Sequence, residues 1–303
     1  MTTAASQLDL LLRGTPSLEP MRVQLERAAR SVAAVLVVGE PGSGRTSLAR
    51  ALHAESGRRG PLVETDASTI PTALFESELF GHTSGAFSGA DRARPGRVAR
   101  AEGGSLLLDH IEELPLETQP KLLRLLAEGR FAPLGGRERV ADVRFLAVGT
   151  EDLPARVERG AFRSDLYYRL EVLAFRVPPL RQRRGDLPSL IGSLLEDLGR
   201  RYGRSSLELD PASRQWMLSH PWPGNVRQVR NVLERAVVLH EGGPLAVAKA
   251  PPPGDRPLSL VEIEREAIRQ ALAYTRGHQG EAAAALGISR KALWQKRKRL
   301  GIP

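Results

Sequence analysis

Three short apolar runs, Val32–Val38, Ser105–Leu108 and Val143–Val148, mark the first 175 residues. Between them apolar positions recur every three or four residues, the spacing of a helix face. This alternation predicts an α/β domain with a mainly parallel sheet, because parallel neighbours are joined by helical crossovers. From about Asp186 to Leu239 the period is helical, interrupted at Pro221-Trp-Pro-Gly224, which reads as a helical subdomain. Glu241 to Pro257 holds three consecutive prolines with glycines and little apolar periodicity, and reads as a linker. Ser259 to Leu300 then reads as three helices.

Composition narrows the chemistry. The 303 residues include 44 Lys plus Arg, 39 of them Arg, against 35 Asp plus Glu. With no cysteine, a disulfide scaffold, a thiolate zinc site, an iron–sulfur cluster and a Cys nucleophile are excluded. The start, Met1–Asp9, lacks a basic segment followed by an apolar core, and the longest apolar runs fall short of a bilayer, so a cytoplasmic protein without membrane contact is expected. The six histidines (53, 82, 110, 220, 240, 278) show no metal-ligand spacing, and no Gly-x-Ser-x-Gly points to hydrolase chemistry. Charge is uneven: from Arg290 to Pro303 there are six basic residues and no acidic one, the footprint of a nucleic-acid contact.

The strongest chemical signal is Gly39-Glu-Pro-Gly42-Ser-Gly44-Arg45-Thr46, between the Val35–Val38 run and a helical pattern. Glycines let backbone amides close around phosphates at a helix N-terminus, and the Thr46 hydroxyl can ligate Mg²⁺. Arg45 stands where this loop usually has Lys; it keeps the charge on a longer, planar, forked group. Gly103-Gly-Ser-Leu-Leu-Leu-Asp109-His110 is an apolar strand ending in an acid, the carboxylate that organises Mg²⁺. ATP and Mg²⁺ are therefore the expected ligands, with Thr46 and Asp109 on the metal.

From about Leu11 to Leu239 the sequence resembles the AAA+ domain of bacterial enhancer-binding proteins, ATPases that activate RNA polymerase carrying sigma-54. The most specific segment is Gly85-Ala86-Phe87-Ser88-Gly89-Ala90, similar to the family's GAFTGA loop, which implies contact of these six residues with sigma-54. Phe162-Arg163-Ser-Asp-Leu-Tyr-Tyr-Arg169 resembles the segment supplying arginine fingers to a neighbour's nucleotide. Val177–Asp186 and Trp222-Pro-Gly-Asn-Val-Arg227 look like the start and the sensor II of the family's lid, which implies an Arg227 contact to nucleotide. The resemblance implies a ring, expected as a hexamer, with Asp109, His110, Arg163 and Arg169 in catalysis and Gly39, Gly42, Gly44, Arg45 and Thr46 on the phosphates. Three positions depart from the pattern: Arg45 for Lys, His110 for the Glu that polarises the attacking water, and Thr150 for the usual sensor I Asn. Asp66 lies where the family usually has the Asn that restrains that Glu.

The last segment, His278 to Ile302, pairs a helix, a Gly287 turn, a Ser289 N-cap and a basic helix, and resembles a Fis-type helix-turn-helix. Ala283, Leu286, Ile288, Leu293 and Leu300 are expected in its core. Arg290, Lys291, Trp294, Gln295 and Lys298 are expected to face duplex DNA, bound as a dimer. Arg297 takes a place where the family usually has an apolar residue. The implied architecture is a P-loop AAA+ α/β domain (1–175), a helical lid (176–240), a linker (241–258) and a small all-α helix-turn-helix domain (259–303). Only about 30 residues precede the first predicted strand, so no sensory domain is expected before it, and control is expected from a partner, expression or nucleotide level. The expected function is sigma-54-dependent transcription regulation, remodelling the promoter complex with ATP. The alternative is a hydrolysis-deficient nucleotide-binding repressor or ring antagonist; a general unfoldase is disfavoured by the DNA-binding segment and the Phe87 loop.

Overall fold

The computed structural model describes residues 6–204, 207–240, 242–247, 268, 272, 275, 278–285, 288 and 290–300. The chain divides into two compact units, Met1–Lys249 and Ala250–Pro303. The first is built on a five-stranded parallel sheet in the order Leu62–Asp66, Ser105–Asp109, Arg144–Gly149, Val35–Gly39, Leu173–Val177. Its three central strands are the apolar runs, trimmed at one end: Val32 is exposed and the strand begins at Val35. Successive residues serve opposite faces, as strand geometry requires. Leu106 and Leu108 pack with Phe75, Phe80, Leu122 and Phe162 on one side. Leu107 packs with Leu8, Leu25, Val37, Leu48 and Leu52 on the other.

The two outer strands, Leu62–Asp66 and Leu173–Val177, carry charged or half-exposed positions and escape an apolar-run criterion. They nevertheless set the site. Parallel pairing places Asp66 beside Asp109, Val38 beside Gly149 and Gly39 beside Val177, all at the carboxyl ends of the strands where ligands of open α/β sheets bind. Two short antiparallel pairs, Gly81–His82 with Arg94–Pro95 and Arg130–Phe131 with Arg139–Val140, project from this frame.

Arg144 is among the charged side chains sealed inside. Arg144 opens its strand with about 1% exposure, and donates from Nη1 to Ala29 O (2.6 Å), from Nη2 to Ala28 O (2.5 Å) and from Nε to Ala33 O (3.5 Å). Two of those carbonyls close the helix Arg22–Arg30, whose last turn leaves acceptors unfilled and favours a cation. Burial pulls the guanidinium down to about 10, helped by nearby Arg58, and it stays charged at neutral pH.

The helices Leu187–Tyr202, Pro211–Ser219 and Asn225–Val238 form the helical subdomain around Leu190, Leu198, Met217, Trp222, Val229 and Leu233. This subdomain extends past the expected boundary at 240. Leu245 and Val247, assigned to the linker from its Pro and Gly content, are buried in that core. Leu245 N donates to Glu208 O (2.7 Å) and Val247 N to Ser213 Oγ (2.8 Å), so tertiary hydrogen bonds replace the missing periodicity. Residues 248–258 of the expected linker lie outside the described residues.

In the second unit, helices Gln279–Ala285 and Arg290–Leu300 are described. Ala283 and Leu293 are buried as expected, with Ile288 packed against them; Ala282 and Ile268 join them. Most of the expected first helix and Ser289 lie outside the described residues, as do the side chains of Leu286, Lys291, Gln295, Lys298 and Leu300.

Replacing Arg144 with Met leaves the Ala29 carbonyl without its guanidinium donor and removes one donor each from Ala28 O, which keeps Ser31, and Ala33 O, and should cost about 3 kcal/mol of stability. Urea unfolding monitored by Trp fluorescence measures it. A loss under about 1 kcal/mol would mean that water caps the helix equally well.

Candidate functional site

After the strand Val35–Gly39 the chain turns through Gly42 (φ +76°) and Gly44 (φ +106°) into the helix Arg45–Ala54. The left-handed backbone favours glycine at both positions. Close packing demands it at two. A Cβ on Gly39 would lie 2.5 Å from Val177 O, and one on Gly42 would lie 2.6 Å from Gly224 O. Thr46, in the first helical turn, donates from Oγ1 to Asp109 Oδ2 at 2.8 Å. Hydroxyl and carboxylate thus meet at the helix N-terminus, an oxygen pair suited to Mg²⁺. The loop borders a cavity of about 720 Å³ lined by Thr46, Arg50, Asp109, His110, Arg183 and Arg227. Two polar atoms there are buried without a hydrogen-bond partner or ion pair among the described residues, Ser43 Oγ and Arg183 Nε, while Arg183 Nη1 lies 3.5 Å from Asp186 Oδ2. Orphaned donors beside a glycine loop fit a phosphorylated ligand, because buried polar groups otherwise find partners.

Arg45 also lines this cavity, with its guanidinium turned onto strand-end carbonyls. It is 5% exposed, and its Nη1 donates to Gly39 O (2.8 Å) and to Gly149 O. Burial lowers its pKa, opposed by Asp109 and Glu112. Glu112 is itself buried, and its Oε2 accepts from Thr150 N at 3.3 Å. A Cβ at Gly149 would lie 2.9 Å from Ile111 Cγ2 and 3.2 Å from that oxygen, so the glycine makes room for both side chains. Neither Glu112 nor Gly149 stood out in the sequence, because the signal is an acid placed next to a strand end.

His110 adopts the left-handed conformation (φ 53°, ψ 49°) immediately after Asp109. Its amide donates to Asp109 Oδ1 (2.9 Å), and its ring Nδ1 lies 3.0 Å from Asp66 Oδ1. Burial pushes the Asp66 carboxyl up, but hydrogen bonds from the Ser68 amide and hydroxyl, with the His110 ring, outweigh it and hold the pKa below its ordinary value.

Away from the cavity, Gly85 (φ +77°) and Gly89 (φ +98°) bend the segment 85–90 into a loop closed by Gly85 N to Ala90 O (2.8 Å) and Ala90 N to Phe87 O (3.0 Å). Phe87 is 40% exposed with its ring edge-on to His82, centroids 5.0 Å apart. Ala86, Ser88 and both glycines sit at the surface, while Ala90 is buried as the anchor. Leu134, between Arg130–Phe131 and Arg139–Val140, braces the stem through Thr83 N to Leu134 O (3.0 Å) and Leu134 N to Gly81 O (2.9 Å). That second support carries no motif of its own along the chain.

Residues 11–176, which contain both the phosphate loop and the Phe87 loop, match the family described as the sigma-54 interaction domain. The chain belongs to the sigma-54-dependent transcriptional regulators. Residues 181–253 of the regulator match the AAA+ ATPase lid domain, and residues 259–300 the Fis family of bacterial regulatory proteins. It is 41% identical over 307 residues to the transcriptional regulatory protein ZraR of Escherichia coli K12, covering 97% of this chain and 69% of that one. Its identity to the Nif-specific regulatory protein of Azotobacter vinelandii is 40%, over 97% of this chain and 59% of the other. NtrX from Brucella abortus, solved in complex with ATP, superposes with a TM-score of 0.71 at 32% identity over 94% of this chain and 68% of that one. The repressor or antagonist alternative gains no support from these matches.

In the regulator the lid grips the phosphate loop directly. Asn225 Nδ2 donates to Glu40 Oε2 and Pro41 O (both 3.2 Å), while its Oδ1 accepts from Leu180 N (2.7 Å). Arg227 N donates to Gly42 O (3.2 Å), and Arg181 forms a bidentate pair with Glu40 (2.5 and 2.6 Å). Asn225, Glu40 and Arg183 are site residues that motif reading passed over. Arg163 and Arg169 lie on the surface, outside the cavity lining: Arg163 pairs with Asp165 (2.7 Å), and Arg169 donates to Leu126 O (3.2 Å). In the second unit Arg290 and Trp294 are exposed, while Arg297 is only partly so.

Gly42→Ala should unseat both loop and lid, and lower ATP affinity about tenfold or more without unfolding the sheet. Calorimetric titration with circular dichroism checks this. Affinity within about twofold of the parent would show that the wedge between Gly42 and Gly224 is not required.

Proposed function

We propose that the regulator binds ATP with Mg²⁺ at the Gly39–Thr46 loop and turns it over in a ring. The nucleotide cycle drives the Phe87 loop against the sigma-54 polymerase held at DNA-tethered promoters in the cytoplasm. The observation that carries this reading is the Thr46–Asp109 contact at 2.8 Å beside the glycine loop. The hydroxyl and carboxylate would hold Mg²⁺, which neutralises charge on the transferred phosphoryl group. Gly39, Gly42 and Gly44 bring amides to the phosphates, and Arg227 approaches from the lid. Arg45 contributes its charge from below the loop, held by the two strand-end carbonyls.

Arg163 and Arg169 are assigned to a neighbouring subunit's nucleotide. Their exposure outside the cavity of their own chain supports that role, and a hexamer is the ring we propose. The exposed Phe87, framed by two open glycines, supports an apolar contact that needs no partner within its own chain. For the second unit we propose dimeric binding to duplex DNA through Arg290, Lys291, Trp294, Gln295 and Lys298, in keeping with six basic and no acidic residues from Arg290 onward. The domain limits proposed are 1–175, an α/β domain, and a lid that runs on to about 247, with the helix-turn-helix from 259.

Phe87→Ala should abolish capture of sigma-54 in the presence of a transition-state nucleotide analogue while ATP affinity holds. A pull-down paired with calorimetry tests it, and equal retention of sigma-54 by both proteins would remove the loop from the mechanism.

Ring action makes a separate claim. ATPase specific activity should rise with protein concentration, and an Arg169→Ala chain mixed with a Gly44→Val chain should regain activity that neither has alone, since each supplies the part the other lacks. Rates independent of concentration, with no recovery on mixing, would place the whole site in one subunit.

A further inference from the structure

We infer that Glu112 is a positioning residue for Arg45: the two side chains grip one peptide group, Gly149–Thr150, from opposite ends, which keeps the guanidinium on strand-end carbonyls and weakens the loop's hold on a triphosphate. The second effect rests on the nucleotide binding proposed above; the first does not. Arg45 Nη1 donates to Gly149 O, and to Gly39 O at 2.8 Å. The N–H of the same peptide group, on Thr150, donates to Glu112 Oε2 at 3.3 Å. A carboxylate that receives the N–H pushes electron density toward the carbonyl oxygen, and a guanidinium on that oxygen makes the N–H a better donor. Each contact therefore strengthens the other.

The surroundings are built for this grip. Arg45 and Glu112 are each 5% exposed, and Gly149 ends its strand beside Val38, the residue that leads into the phosphate loop. A side chain at position 149 would crowd both Ile111 Cγ2 and Glu112 Oε2, so glycine is what admits the carboxylate to the strand end. Glu112 is fixed from behind: its backbone oxygen accepts from Arg156 Nη1 at 2.9 Å, and Ile111 before it is fully buried. Thr150 turns its hydroxyl onto Asp152, so position 150 serves Glu112 through its backbone. Asp109, the other carboxylate that opposes the burial cost of Arg45, is engaged by Thr46, which leaves Glu112 as the anion committed to the strand end where the guanidinium rests.

The consequence falls on affinity. A guanidinium held by two carbonyls, one of them made a stronger acceptor by the anion across the peptide, gives less of itself to a ligand than a free one. Phosphates entering the loop meet the backbone amides in full and the charge of Arg45 only in part. The deficit grows with the charge of the ligand, so ATP feels it more than ADP, and AMP least. Glu112 touches no phosphate in this arrangement. It acts through Arg45, and its removal should favour the most highly charged nucleotide.

The test reads the grip first without nucleotide, as hydrogen exchange of the Thr150 amide in the full chain. Glu112→Ala and Arg45→Met should each speed that exchange about tenfold or more, because each releases one end of the same peptide group. If Arg45→Met melts below the assay temperature, Arg45→Gln, a shorter uncharged amide, replaces it. Calorimetric titration with ATP, ADP and AMP in Mg²⁺ then follows. Glu112→Gln keeps an acceptor for Thr150 N and drops the charge; it should bind ATP about tenfold more tightly, ADP by less and AMP within about twofold of the parent. The gain should vanish when Arg45 is replaced as well. Thr150 exchange indifferent to the Arg45 substitution overturns the positioning role even if ATP binds well, and so does a gain that persists without Arg45. Coupled exchange in a chain that binds no nucleotide supports the positioning of Arg45 and overturns the effect on triphosphate together with the proposed ATP site. Weaker binding of all three nucleotides with a lowered melting temperature would make Glu112 a structural support only, and also overturns the inference.

Discussion

The regulator is organised around a wedge of backbone. The phosphate loop lies against the end of the strand Leu173–Val177 on one side and the lid turn at Gly224 on the other, with no space for a side chain at Gly39 or Gly42. Glycine there serves two masters: a left-handed turn able to present amides, and contact close enough for Arg227 N and Asn225 Nδ2 to reach loop carbonyls. The sheet positions the loop, and the lid closes on it. Disturbing either surface therefore reaches the phosphates, even though no residue of the lid belongs to the loop.

The unusual residues of the cavity each meet a strand end or a neighbouring strand. Arg45 reaches Gly149 O, and Glu112 fills the space beside Gly149 and accepts from Thr150 N. Asp66 meets His110 in the adjacent register. A buried guanidinium is tolerable because two carbonyls receive its protons and two carboxylates, Asp109 and Glu112, oppose the cost of desolvation. The same accounting explains Arg144, where helix-end carbonyls take that part. Of the positions that depart from the family pattern, Arg45 and His110 each have polar partners at the strand ends, whereas Thr150 meets Glu112 only through its backbone amide.

The groups assigned to partners share a different physics. Phe87, Arg163, Arg169, Arg290 and Trp294 are all exposed; Phe87 meets a ring edge, Arg163 an acid two residues away and Arg169 the carbonyl of Leu126. An exposed ion pair such as that of Arg163 contributes at most about 1 kcal/mol, so this side chain can leave its present partner for another at small cost.

The sequence by itself determined the elements whose physics is local. The three central strands announced themselves as apolar runs because both their faces are buried, and the glycine loop and the Phe87 loop announced themselves because left-handed turns admit few residues. Tertiary structure decided whatever depends on residues far apart in the chain. The outer strands Leu62–Asp66 and Leu173–Val177 have one poorly covered face and become strands through pairing, and that pairing alone sets Asp66 next to Asp109 and His110. Leu245 and Val247 join the lid core because Glu208 and Ser213 offer them hydrogen bonds, against a local composition that reads as linker. Glu112, Asn225 and Arg183 became site residues in the same way, since a buried charge or amide acquires its role from the strand end or loop it meets, and spacing along the chain carries no record of that meeting.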